Sequence, residues 1–217
     1  MKGEDLNLDL PIAVFPLPGV VFFPYTALPL HVFEPRYREM VQWCIAEERP
    51  MAVTLISPGR EGEQLGDPPF EAVAGLGKIV HSERLPDGRY HILLRGAGRV
   101  KLTEVDRDTA FRQATAELIP DILPENPGTL RAQVDSLEAL AVGLNQHWPQ
   151  GSNMISRLLN QTREPAALSN CLCSALWNEP LDRQRMLSLA DVEERMTLVV
   201  DRLARVMADV SSGGTAH

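Results

Sequence analysis

"FPLPGVVFFPYTALPLHVFEPRYREM", residues Phe15 to Met40, is apolar over most of its length yet carries prolines at 16, 18, 24, 29 and 35. A membrane helix needs about 20 unbroken apolar residues, and proline at this frequency breaks helices. Central strands avoid proline too, because it cannot donate to the ladder, but strand ends and edges tolerate it. The prolines fall at such places. "PIAVFPL" (11–17) and "TALPLHVF" (26–33) are short apolar runs with proline at their ends or edges, and Pro18-Gly19 and Pro24-Tyr25 punctuate the chain between them. After Glu34 the period changes. Pro35 suits a first helical position, where the missing N–H would have had no partner, and Tyr37, Met40, Val41, Cys44 and Ile45 recur at helical spacing. The stretch therefore predicts two strands running into a helix over residues 35–49.

Downstream, "MAVTLI" (51–56) returns to strand character, and "SPGREGEQLGDPPF" (57–70) is a polar loop long enough to serve a function. Residues 72–84 and 90–105 alternate apolar with polar and flank the turn "LPDGR", which predicts a long hairpin. Glycines at 75, 77, 96 and 98 interrupt both arms, a pattern expected of a sheet that bulges and curls into a barrel. "FRQATAELI" (111–119) closes this part.

The texture alters at Pro120. "PDILPENPG" reads as a linker, and the apolar residues beyond it recur at helical spacing: Leu130, Val134, Leu137, Ala141 and Leu144; then Leu168, Leu172, Ala175 and Leu176; then Met196, Val199, Leu203, Val206 and Met207. Pro165 and Pro180 stand at expected first helical positions, and Asp191 with Glu194 forms a capping box. The tail "SSGGTAH" is expected to fray from residue 211. The expected fold class is α+β: a β part over 1–120, of about six strands and one helix, then an α-helical bundle over 121–217 that ends in a long helix.

Composition narrows the function. Apolar residues make up 44% of the 217 and charged residues 23%, ordinary values for a folded globular chain. The net charge of −8 argues against a nucleic-acid arm. Cys44, Cys171 and Cys173 are too few and too ill-spaced for a disulfide framework or a zinc knuckle, so a reducing compartment is expected. "MKGEDLNLDLP" lacks the cationic and apolar regions of a signal peptide, so we expect a cytoplasmic protein with no membrane association.

Catalytic patterns are weak. "GLGKIV" lacks the upstream glycine and the hydroxyl of a phosphate-binding loop: Ala72 and Ile79 stand there. A Ser-Lys pair would have to draw on Lys2, Lys78 or Lys101, and the two strand lysines are expected to face solvent. His81 and His91 are placed to face each other across the hairpin, which suits cross-strand pairing better than a metal. No cofactor and no metal site are expected. Lys78, Arg84, Arg89, Arg95, Arg99 and Lys101, against Glu83 and Asp87, form a local basic cluster that could hold an RNA backbone.

Three stretches in order, the opening motif "FPLPGVVFFPYTALPLHVFEPRYREMV", "GLGKIVHSERLPDGRYHILLRGAGRVKL", and "EPAALSNCLCSALWNEPLDRQRMLSLADVEERMTLVVDRL", resemble the N-terminal substrate-binding domain of Lon proteases in its free-standing form. The resemblance covers about residues 10–210. It implies a bent, PUA-like β-barrel followed by a helical bundle, and binding rather than cleavage, because the ATPase and Ser-Lys protease that follow in full-length Lon have no counterpart in this sequence. The bulky Tyr25, where the family commonly has small residues, and the Pro/Gly-rich 57–70 loop depart from the pattern. The leading expectation is a non-catalytic module that binds unfolded or degradation-prone polypeptide, as adaptor or regulator. Phe22, Phe23 and Tyr25 are the candidate contacts, with Arg36 and Tyr37, whose alternative role is to tie the first helix to the barrel. Two other readings remain open: RNA binding through the hairpin cations, and a small-molecule enzyme.

Overall fold

The computed structural model describes residues 6–60, 62, 66–106 and 108–211. The two proline-bordered runs form β1 (Ile12–Leu17) and β2 (Ala27–Val32), and Pro35 opens α1 (Pro35–Ala46). Then come β3 (Met51–Leu55), the hairpin β4 (Val73–Arg84) and β5 (Tyr90–Glu104), and β6 (Arg112–Leu118). Five helices complete the chain: α2 (Pro127–Leu144), α3 (Pro149–Gln161), α4 (Pro165–Leu176), α5 (Pro180–Ser188) and α6 (Val192–Ser211). The α+β class expected from the sequence is the one observed. The N-terminal residues 1–5, the loop residues 61, 63–65 and 107, and the tail 212–217 lie outside the described residues.

The strands lie in the order β2-β5-β4-β3-β1-β6, and β5 pairs with β6 as well. β5-β4-β3-β1-β6 therefore closes on itself, and β2 branches from the first half of β5. All pairings are antiparallel except β1 with β3. β5 can serve three partners because it is long: residues 90–95 pair with β2 and residues 100–104 with β6. Between those halves its register with β4 slips by one residue, Gly77 facing Gly96 and Leu76 facing Gly98, a bulge of the kind that bends a strand.

The glycines do more than permit a bend. A Cβ on Gly75 would collide with the Phe22 carbonyl, and one on Gly96 with the Phe23 carbonyl. The segment between β1 and β2 is thus laid backbone-first against the hairpin, and only glycine leaves room for it. Period-2 alternation on β1 then serves two apolar layers. Ile12 and Val14 join Ala52, Leu76, Val100 and Leu102 in one cluster, while Ala13 and Phe15 join Tyr37, Met40 and Val41 of α1 in another. Both faces of β1 and β3 are consequently buried, which is why their sequences are nearly continuous apolar runs.

The chain divides into two compact units, and residues 179–188 leave the expected 121–217 block to cluster with residues up to 120. Within this first unit α5 is held by polar bonds to the strands. The buried Arg99 donates to the Leu187 carbonyl (2.9 Å), and Gln184 donates to the Val73 carbonyl (2.7 Å).

The second unit holds α2, α3, α4 and α6. Each helix from α1 to α5 begins with proline. Two proline starts carry side-chain caps. Asn126 accepts from the Gly128 N–H, and the Glu164 carboxylate accepts from the N–H groups of Ala166 and Ala167. Asp191 caps α6 through the Glu194 N–H, as the capping-box pattern predicts. Glu164→Ala strips two of the otherwise orphaned donors of α4, and should lower stability by about 1 kcal/mol in urea unfolding.

Candidate functional site

The opening stretch forms more than two strands and a helix start; it also lines a groove. Phe15, Pro16, Leu17 and Pro18 from the end of β1, Leu30 to Glu34 from the end of β2, and Tyr37 from the first turn of α1 enclose about 220 Å³. Its floor is apolar, with the Phe15 and Tyr37 rings 4.4 Å apart between centroids. Burial, the chief cause, raises the Tyr37 phenol above its usual pKa, and the neighbouring Arg36 opposes that shift. Arg36 lies over the Tyr37 ring, 4.6 Å from its centroid, pairs with Glu34 (3.0 Å) and donates to the Gly66 carbonyl (2.6 Å). At the rim Phe33 is 59% exposed, a large apolar side chain left in water beside an apolar hollow.

One wall of the groove belongs to an edge strand. Among the described residues β2 pairs with β5 and no other strand. The Gly96 N–H bonds the Thr26 carbonyl (2.8 Å), and antiparallel alternation then turns the polar backbone groups of 28, 30 and 32 towards β5 as well. Those of Ala27, Pro29 and His31 point to the unpaired edge. Pro29 therefore lacks its N–H on the side where no ladder bond is lost.

The same register sets the imidazoles. His31 lies opposite His91, with ring centroids 5.0 Å apart, and Glu83 is 3.7 Å from His91. The expected His81–His91 pairing is not formed. The turn is centred on Asp87, so that Arg84 pairs with Tyr90, and this register sets His81 opposite Leu93 and His91 opposite Glu83. Among the described residues no group of three or more His, Cys, Asp or Glu side chains is placed to hold a metal ion.

The five residues expected to contact polypeptide do not converge. Phe22 and Phe23 are buried, packed where the glycines admit their backbone, and so present no surface. Tyr25 is 43% exposed and holds a left-handed backbone, φ 64°. Tyr37 lines the groove, and Arg36 lies beside it over the Tyr37 ring. Phe15, Leu17, Leu30 and Phe33 were missed by sequence reasoning. The available signal was the position of Phe33, which falls on the same face of the strand as the exposed Ala27, Pro29 and His31.

The hairpin cations disperse. Arg99 is 2% exposed and bonded to α5, which removes it from any basic surface: its side chain runs inward to a helix carbonyl instead of alternating outward. Arg89 pairs with Asp87 (2.6 Å) at the turn, and Arg84 lies opposite Tyr90 beside it. Lys78 faces Arg95 across the strands, and Lys101 lies opposite Val73. Lys78 also lines a hollow of about 470 Å³ with Cys44, Ile45, Glu48, Arg49 and His81. Burial pushes the Cys44 thiol up to about 12, so at neutral pH it is no nucleophile.

The whole course of the chain has a known counterpart. The model of the ATP-dependent protease La (LON) substrate-binding domain matches residues 11–205. This chain belongs to the Lon substrate-binding domain family. Among full-length relatives of this Lon domain, the Lon protease of Paraburkholderia phytofirmans is 25% identical over 207 residues, covering 90% of this chain and 24% of the relative. That of Roseiflexus castenholzii is 28% identical over 216 residues, covering 96% and 26%. The chain thus spans about a quarter of the length of the curated relatives it matches. Solved Lon domains share the fold. The N-terminal domain of Mycobacterium avium complex Lon protease superposes with a TM-score of 0.68 at 16% identity, covering 90% of this chain and 98% of that one. The Lon N-terminal domain protein from Xanthomonas campestris gives 0.61 at 21% identity, covering 88% and 98%. The family's domain is the substrate-binding part of the protease, as distinct from its catalytic parts.

Proposed function

We propose that the chain is a non-catalytic module that binds unfolded or degradation-prone polypeptide, as an adaptor or regulator of proteolysis, through the groove between β1, β2 and α1. The observation that carries this reading is Phe33, exposed at the mouth of an apolar hollow in a domain whose family is a substrate-binding one. An unfolded chain displays apolar side chains that a folded one hides, and a hollow of about 220 Å³ fits one large side chain or a pair of small ones.

Phe33→Ser should weaken binding of fluorescein-labelled, reduced and alkylated lactalbumin about tenfold in fluorescence anisotropy, since burying a phenylalanine contributes about 1.5–3 kcal/mol. Thermal stability should hardly change, because the side chain is already in water. Val142→Ser, which alters an exposed residue of α2 (77% exposed), serves as the comparison. Equal binding by the two variants would remove the groove from the proposal.

A further inference from the structure

We propose that β2 recognises its polypeptide by main-chain pairing along its unpaired edge, with His31 as the clamp residue, so that the ligand is an extended segment that adds a strand beside the groove. The inference rests on the polypeptide-binding reading and goes beyond it by naming the ligand's conformation. The backbone groups of Ala27, Pro29 and His31 face that edge, by the alternation that the Gly96–Thr26 bond fixes. This row of partial charges, donor beside acceptor, is complementary to one kind of partner: another extended backbone.

Pro29 makes the row uneven. It offers a carbonyl but no N–H, so the full donor and acceptor pairs are those of Ala27 and His31. Of these two, His31 lines the groove. A segment hydrogen-bonded at His31 would lie with alternate side chains towards Leu30, Val32 and the aromatic floor, where Phe15 and Tyr37 meet. Proline at 29 also limits how long a foreign strand can pair, which guards the edge against a second copy of this chain while leaving its groove end open. Helical or tightly folded partners have no free backbone groups to offer and would be refused.

His31 gives an unusually clean test, because its N–H serves no ladder bond in the barrel. His31→Ala and His31→Pro both remove the imidazole, but only His31→Pro removes the edge donor, and the preceding Leu30 already has the strand conformation that a following proline demands. The probe is a short fluorescein-labelled peptide alternating threonine and valine around one phenylalanine. It is compared with versions N-methylated on either set of alternate nitrogens. The inference expects His31→Ala to bind within about threefold of wild type and His31→Pro to bind about tenfold or more weakly. It also expects wild type to bind one methylated version about tenfold less tightly. If His31→Pro fails to fold, the methylated peptides decide on the wild-type protein alone. Equal binding by both His31 variants and by all three peptides overturns edge pairing and leaves side-chain binding in the groove standing. Failure of wild type to bind the unmodified peptide, while it binds unfolded lactalbumin, likewise overturns the edge. Failure with both ligands removes the polypeptide reading itself.

Discussion

Arg195→Ala is expected to destabilise the helical unit by about 3–5 kcal/mol, enough to unfold a marginal domain at body temperature. Arg195 is fully buried in α6, and its guanidinium reaches three partners: the Ser169 hydroxyl of α4 (3.0 Å), the Leu189 carbonyl (2.6 Å) and the Asp121 carboxylate (2.9 Å). Its planar fork serves divergent acceptors at once, which a lysine ammonium does not do without leaving some of them bare. Truncation to alanine costs twice. It opens a cavity at a fully buried position, and it removes the guanidinium from the Ser169 hydroxyl, the Leu189 carbonyl and the partly buried Asp121 carboxylate at once. Arg195→Lys should recover part of the loss and no more. Urea unfolding followed by far-ultraviolet circular dichroism reads both values, and a loss below about 1 kcal/mol for the alanine variant would show that water replaces the guanidinium at little cost.

Two arginines mark the limit of what the sequence reveals. The strands, the hairpin and the first helix were legible because each announces itself through a local period and a local punctuation, down to Pro35 at the start of α1. Arg99 and Arg195 have no such signature. Each is buried because an acceptor from a distant part of the chain comes to meet it, the Leu187 carbonyl for Arg99 and the Asp121 carboxylate for Arg195, so an ordinary outward-facing cation was the expectation for Arg99. The helix α3 is not among the helices expected from the sequence, although Pro149 opens it and Met154, Ile155, Leu158 and Leu159 recur at helical spacing, so its signal is as local as that of α1.

The candidate site was half legible on the same principle. The opening motif, marked out by its prolines, furnishes the groove, with Tyr37 in its lining and Arg36 over the Tyr37 ring. Which aromatics face water did not follow. Phe22 and Phe23 precede β2 in an irregular segment, where no alternation assigns a side, and their burial depends on glycines more than fifty residues away. Phe33 continues the alternation of β2, and the period of two would have put it outside once the strand's register was known.

Those glycines supply the sharper test of how the barrel is built. Gly75→Ala should destabilise the β unit by about 3 kcal/mol, although a general argument has the opposite sign. Replacing glycine by alanine usually stabilises by about 0.4–1 kcal/mol where the backbone allows it, because the unfolded chain loses freedom. The backbone does allow it here: Gly75 lies on β4 and is not among the glycines with positive φ. What forbids the methyl group is the oxygen and carbon of the Phe22 carbonyl, and behind them the Phe22 Cβ, all within reach of the new Cβ. A backbone carbonyl cannot swing aside as a side-chain tip can, so relief requires moving the whole segment that carries Phe22 and Phe23, both of them core residues. Phe22→Ala should not rescue the variant, since the obstructing oxygen remains. Gly98→Ala is the internal contrast. Its Cβ would meet only the Leu118 Cδ1 atom, at 3.1 Å, the end of a half-exposed side chain that is free to turn, and its stability should stay within about 1 kcal/mol of wild type. Thermal melts of the two alanine variants, run side by side, separate the two effects: equal melting points would mean that the crossing segment is held loosely and that its approach does not require glycine at 75.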